Sequence, residues 1–335
     1  MLDFVRVRGL RALGPVGVTI ASRRAPRVAL VGVVAAVTAL LSSAVAPIWA
    51  FAFGPLLLGL PHVLADLRYL VVRPGLLATP ARLAVALAPV LAAWVLGAGR
   101  SWAFAAIATT ALAVPDVAWR RRLLGVGLGA ALVALGLVYP RATAFALLHL
   151  HNLVAFGFWL AWRRRAGWAN AWVVGAVGLG AALLLSGAAD PVALALPLPA
   201  GIDPLLARDW VAPGIADPWA GRILRLFVYF QALHYAVWLR LVPEEDRPRE
   251  AARTWRRDWR ELVGDIGRGL AVATVAGTVG LLAWGWFDAT AARDAYLQIA
   301  LFHGFLEFAV AAWWLLAGTR PVDRLERLRP SAVAS

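Results

Sequence analysis

The chain has 335 residues, of which 61% are hydrophobic and only 16% charged, and its formal net charge is +14. That balance excludes an ordinary soluble domain, and the apolar runs recurring from Val28 to Leu316 have the ~20-residue length a helix needs to cross hydrocarbon. Cysteine is absent, which excludes disulfides, iron–sulfur clusters and thiolate ligands, so any metal is left to histidine, carboxylate, amide or water.

The expected fold is an all-α, polytopic membrane bundle of ten spans. Residues 1–27 read as a basic, amphipathic cytoplasmic arm, 28–318 as the transmembrane domain and 319–335 as a cytoplasmic tail. The spans are placed at 28–46, 48–72, 82–98, 101–118, 122–139, 141–162, 168–189, 219–241, 265–287 and 292–318. Ser42 to Ala46 resembles a signal-peptidase site, but Pro47 follows it and the basic leader is long, so 28–46 is read as a retained first span.

Arginine orients these spans; no lysine occurs. Clusters at Arg23, Arg24 and Arg27, at Arg73 and Arg82, at Arg120–Arg122, at Arg163–Arg165, from Arg240 to Arg260, and at Arg320, Arg324, Arg327 and Arg329 fall on alternate connections. The other connections carry Arg100, Arg141, Arg208 and Arg293 singly. The positive-inside rule then places both termini in the cytoplasm. The basic excess is explained by anionic lipid at the cytoplasmic face, and nucleic-acid binding is not expected, because no basic–aromatic stripe lies outside the spans. Helical spans place the chain in a bacterial inner (cytoplasmic) membrane rather than an outer one.

The outer loop 190–218 is dense in proline, with a turn of helix expected near Pro204–Trp210 and Asp217-Pro218 expected to start the eighth span. The inner loop 242–264 opens on Pro243-Glu244-Glu245-Asp246, expected to be a solvated turn. An interfacial helix follows, with Trp255, Trp259 and Leu262 on one face and Arg253, Arg256, Arg257 and Arg260 around it. Asp116 is expected to pair with Arg120, its i+4 neighbour.

All five histidines lie inside apolar stretches: His62 on span two, His149 and His151 on span six, His234 on span eight and His303 on span ten. An ionisable ring in hydrocarbon is costly unless it is paired or coordinates something. These four spans run in the same direction, and at ~1.5 Å per residue their histidines fall within roughly one to two turns of a common depth. One shared site follows as the expectation, with His62, His149, His234 and His303 as metal ligands. Asp66 and Glu307, each four residues after a histidine on the same helix face, are the catalytic or ligating carboxylates. His151, Asn152 and Gln231 are given supporting roles. His149 and His151 point about 200° apart on a regular helix, so only one is expected to bind, and His149 is preferred. Pro61 removes one helical hydrogen bond beside His62 and helps aim that ring inward.

Imidazoles with one or two carboxylates suit iron, zinc or copper better than magnesium or calcium. The His-Glu-x-x-His signature of zinc proteases is missing, and a b-type haem between two histidines stays open as an alternative. The segment Gly59-Leu60-Pro61-His62-Val63-Leu64-Ala65-Asp66 resembles the Gly-x-Pro-His-Gly-x-x-Asp element of the Brp/Blh family of β-carotene 15,15′-dioxygenases, with Val63 in place of that element's second glycine. The resemblance implies a polytopic enzyme with a non-haem Fe(II), His62 as one ligand, and histidines of later helices as others. The function expected from it is oxygenation of a lipophilic, carotenoid- or isoprenoid-like substrate entering from the membrane lipid. The alternative from the same residues is a proton- or cation-coupled transporter using the His/Asp/Glu cluster as a relay.

Overall fold

The computed structural model describes residues 8–9, 12–95, 100–162, 167–194, 196–247 and 250–318, and every regular element among them is helical. In chain order the α-helices are α1 (Gly14–Ser22), α2 (Arg24–Val45), α3 (Pro47–Asp66), α4 (Pro80–Val95), α5 (Ala105–Ala113), α6 (Trp119–Val138), α7 (Pro140–Trp162), α8 (Gly167–Ser186), α9 (Pro204–Val211), α10 (Trp219–Ala236), α11 (Val242–Asp246), α12 (Trp255–Ile266), α13 (Arg268–Phe287) and α14 (Ala289–Ala317). Among the described residues seven helical stretches are long and apolar enough to span a membrane: α2, α3 with its extension to Val72, α6, α7, α8, α13 and α14. The other three expected spans are also helical. Two are shorter, Pro80–Val95 and Ser101–Ala113. The third, α10, begins with two arginines in its first turns, Arg222 and Arg225, and both pair with Asp190. The arginine clusters at 163–165 and 320–329 and the tail 319–335 lie outside the described residues.

The chain divides into two compact units, one of residues 1–62 and 163–294, the other of residues 63–162 and 295–335. In the first, α2 packs on α8 and α10, and α10 also packs on α8. Small residues allow this close approach: a Cβ on Gly32 would overlap Val173, and one on Gly180 would overlap the Tyr229 ring. Tyr229 donates its hydroxyl to the Val177 carbonyl at 3.1 Å, so its polar end is satisfied inside the packing.

The acidic run 244–246 of this unit is not a solvated turn. Glu244, Glu245 and Asp246 are all buried, and they sit in the short helix α11. Arg27 donates to Glu244 at 2.8 Å and to the Ile20 carbonyl at 2.8 Å, while Arg247 meets Glu244 at 2.9 Å. Arg24 donates to the Arg247 carbonyl. Two arginines expected at the lipid headgroups are thus spent on buried acids, which need a counter-charge once removed from water. Beyond this network α12 forms the expected amphipathic helix, capped by Thr254, which accepts from the Arg257 amide at 3.3 Å, with Trp255 and Trp259 exposed. In the outer loop Asp203 caps α9 through the Leu205 amide at 2.8 Å. Asp217 does not cap α10: it accepts from Arg208 at 2.9 Å, precedes a cis bond to Pro218, and leaves Pro218 as the N-cap residue.

In the second unit α4, α5 and α6 pack together, and α6 also packs on α7. Gly125, Gly129 and Gly136 of α6 face Ala111, Ala108 and Ser101, so the backbones approach with no side chain between them. A core of Val90, Ala93, Ala103, Ala106, Phe305 and Ala309 joins this layer to α14. Asp116 makes no ion pair with Arg120: it occupies a turn at φ 52°, and the Arg120 guanidinium lies 5.7 Å over the Trp119 ring instead. At that left-handed φ the Asp116 side chain cannot reach along a helix face as an i, i+4 partner would.

Candidate metal centre

Two of the helices that carry polar residues change their winding just after them. α3 gives way to a π-helical stretch at Leu67–Val72 immediately after Asp66, and α10 does so at Val237–Leu241, shortly after His234. Such stretches re-aim side chains and recur at functional positions. Pro55 and Pro61 inside α3 each remove a backbone donor, which loosens the same helix ahead of His62.

In the second unit the chain brings together two histidines and two carboxylates. His151 of α7 and His303 of α14 stand edge to face, with ring centroids 4.8 Å apart and Nε2 atoms 3.0 Å apart. Nδ1 of His151 lies 3.1 Å from a carboxylate oxygen of Glu307, one turn beyond His303 on α14. Nδ1 of His303 contacts the Ala300 carbonyl. Asp66 has a carboxylate oxygen within 4.8 Å of a His303 ring nitrogen, and it interacts electrostatically with Glu307. Asp66 and Glu307 are both wholly buried, and His303 is 8% exposed.

The proton position on His303 follows from its neighbour. A carbonyl only accepts, so His303 carries its hydrogen on Nδ1 and presents a lone pair at Nε2. His151 Nε2 faces that lone pair at 3.0 Å, where a hydrogen on His151 Nε2 or a metal ion between the rings satisfies both nitrogens. The same 3.0 Å separation matches adjacent positions on a metal with bonds of about 2.1 Å to imidazole nitrogen. It is too short for two axial ligands on opposite faces of a haem iron, which need about 4 Å by the same bond length. This buried group could hold a metal ion.

In the first unit His62 and His234 form a second buried pair, with centroids 5.1 Å apart and ligating nitrogens within 4.8 Å. Tyr235 covers this pair, its ring 4.5 Å from that of His62 and 5.9 Å from that of His234. His62 and Asp66 lie one turn apart on the continuous helix α3.

Sequence reasoning preferred His149 to His151 as the ligand on α7. The structure brings His151 to His303 and Glu307, whereas His149 is half-buried against Phe145, at 4.6 Å. Asn152 is buried and donates to the Leu148 carbonyl at 3.4 Å, and Gln231 lines a groove walled by α2, α3 and α10. Gly304 was not singled out by sequence, yet it matters: its Cα faces the His151 ring, and an added Cβ would lie 3.1 Å from His151 Nδ1. A glycine directly after a span histidine was the available signal. The aromatic residues Phe158, Phe302, Phe305 and Phe308 serve packing, with Phe158 against Trp314 at 5.0 Å and the others in or against the α14 core.

No family model, curated protein or solved structure matches this chain. The functional reading therefore rests on the chain's own residues.

Proposed function

We propose that the protein is a membrane-embedded non-haem iron oxygenase acting on a lipophilic, carotenoid- or isoprenoid-like substrate. The observation that carries the reading is the pair of imidazole Nε2 atoms 3.0 Å apart, backed by two buried carboxylates and deep within apolar helices. Imidazole with carboxylate is the donor set that suits iron in the absence of thiolates. His151, His303, Glu307 and Asp66 would hold it. Bound iron would supply the binding and activation of dioxygen.

The protein's own groups prepare the place for that chemistry. The Ala300 carbonyl fixes the tautomer of His303, so that ring offers its Nε2 lone pair without rearrangement, and a Glu307 oxygen lies 3.1 Å from Nδ1 of His151. The two buried carboxylates supply negative charge that offsets a divalent cation in low dielectric. Phe302 and Phe305 on the same helix pack in and against the apolar core shared with α4 and α5.

The relay reading keeps one specific observation: a hydrogen between the His151 and His303 Nε2 atoms satisfies both nitrogens. Metal analysis separates the two. Purified detergent-solubilised protein is expected to contain about one iron per chain with no haem Soret band. His151→Ala and His303→Ala should lose it, and His149→Ala should keep it. A folded, metal-free protein that resists reconstitution would sink the oxygenase and leave the proton relay.

A further inference from the structure

The arginines around α12 fall into two sets. Arg247 meets Asp258 at 3.4 Å and Glu244 at 2.9 Å, Arg257 donates to Glu261 at 3.1 Å, and Arg253 pairs with the same Glu261. Arg256 and Arg260 are exposed and make no ion pair with any described residue. The run Trp255-Arg256-Arg257-Asp258-Trp259-Arg260 therefore repeats one pattern at a spacing of four, a tryptophan followed by an unpaired arginine. At 100° per residue both tryptophans share one face of the helix and both unpaired arginines one flank of it. The acids Asp258, Glu261 and Asp265 fall on the other flank.

The level of this face in the membrane is set by what α12 joins. Only Gly267 separates α12 from the spanning helix α13, and its φ of 84° ends one helix and lets the next leave in a new direction. On the approach to α12 the Ala252 amide donates to the Ala21 carbonyl at 2.8 Å, just before the spanning helix α2 begins at Arg24. Both ends of α12 are thus held where spans start, which is the level of lipid headgroups. Trp255 and Trp259, each 45% exposed, suit that boundary, where one part of the ring meets hydrocarbon and the N–H meets water.

We propose that α12 binds the phosphate of an anionic glycerophospholipid, with the Arg256 and Arg260 guanidinia donating to one headgroup and the Trp255 and Trp259 rings against its acyl chains. Side chains one turn apart start about 5–6 Å from each other, close enough for two guanidinia to converge on a single phosphate. A zwitterionic lipid brings its own ammonium to compete for that phosphate, and a soluble phosphate has no chains for the tryptophan face. The site stands apart from the metal centre and does not depend on the oxygenase reading.

The test is titration of delipidated, detergent-solubilised protein with phosphatidylglycerol and, separately, with phosphatidylcholine, counting bound lipid by native mass spectrometry. Each basic residue beside an anionic lipid corresponds to about fivefold in affinity, so Arg256→Gln with Arg260→Gln should weaken phosphatidylglycerol binding roughly 25-fold and leave phosphatidylcholine binding unchanged. Arg257→Gln removes a charge already engaged by Glu261 and should stay within about twofold of the wild type. The single variants Arg256→Gln and Arg260→Gln, each expected at about fivefold, carry the test if the pair does not fold. A wild type that binds both lipids alike overturns the assignment. So does an equal loss in Arg257→Gln and in the pair, which would make the effect one of total charge. Inorganic phosphate bound as tightly as phosphatidylglycerol would assign the arginines to a soluble anion and overturn the lipid site as well.

Discussion

Replacing Gly304 by alanine adds one methyl group to the middle of α14, and the structure says where it goes. The new Cβ would lie 3.1 Å from Nδ1, 3.4 Å from Cε1 and 3.6 Å from Cγ of His151. Ordinary contact begins near 3.4 Å, so the ring must retreat by about 0.3 Å, the difference between those two distances. That movement acts on the two distances that define the group, 3.0 Å to His303 and 3.1 Å to Glu307. Disturbing the groups that orient a ligand typically lowers metal affinity by about 10–100-fold. Stability should move the other way: alanine in a helix interior is favoured over glycine by roughly 0.5–1 kcal/mol. Competition with a chelator measures the first effect, and thermal unfolding of the metal-free protein in detergent measures the second. A Gly304→Ala protein that binds iron as tightly as the wild type would refute the placement of His151 as a ligand. Weaker binding with a matching loss of fold would refute the local character of the effect.

Two further expectations concern packing. Arg27→Ala removes the bond to Glu244 and leaves a buried acid short of one counter-charge, which should destabilise the protein by about 3–5 kcal/mol. Arg27→Lys should recover little, since Nε and both terminal nitrogens of Arg27 are engaged. An unfolding midpoint unchanged in Arg27→Ala would mean the network is exposed to water. Gly129→Val should destabilise by roughly 1–3 kcal/mol, because even its Cβ would come within 2.6 Å of the Ala108 backbone nitrogen, which cannot move aside as a side chain would. Gly127→Val, one turn-half away with open space beside it, is the matched control and should unfold near the wild-type midpoint.

Hydropathy and composition alone determined that the chain is helical and suited to a membrane, because a backbone in hydrocarbon must satisfy its own hydrogen bonds and a continuous apolar run leaves a helix as the solution. The helix of the outer loop near Pro204 and the amphipathic helix at Trp255 were equally legible, as capping and periodicity are local properties. That buried histidines and carboxylates exist at all was legible too, from the types of residue found inside apolar runs. Which of them meet was decided only by tertiary structure. His149 and His151 differ by two positions and point to opposite sides of α7, and nothing local tells which side faces α14. Gly304 carries no chemistry of its own, so its relation to His151 is visible only once the two helices are packed. The acidic run at 244–246 read as solvated because Arg27, which donates to Glu244, lies more than two hundred residues away. Charge sign and hydropathy are written residue by residue, whereas burial and pairing are properties of two surfaces brought into contact.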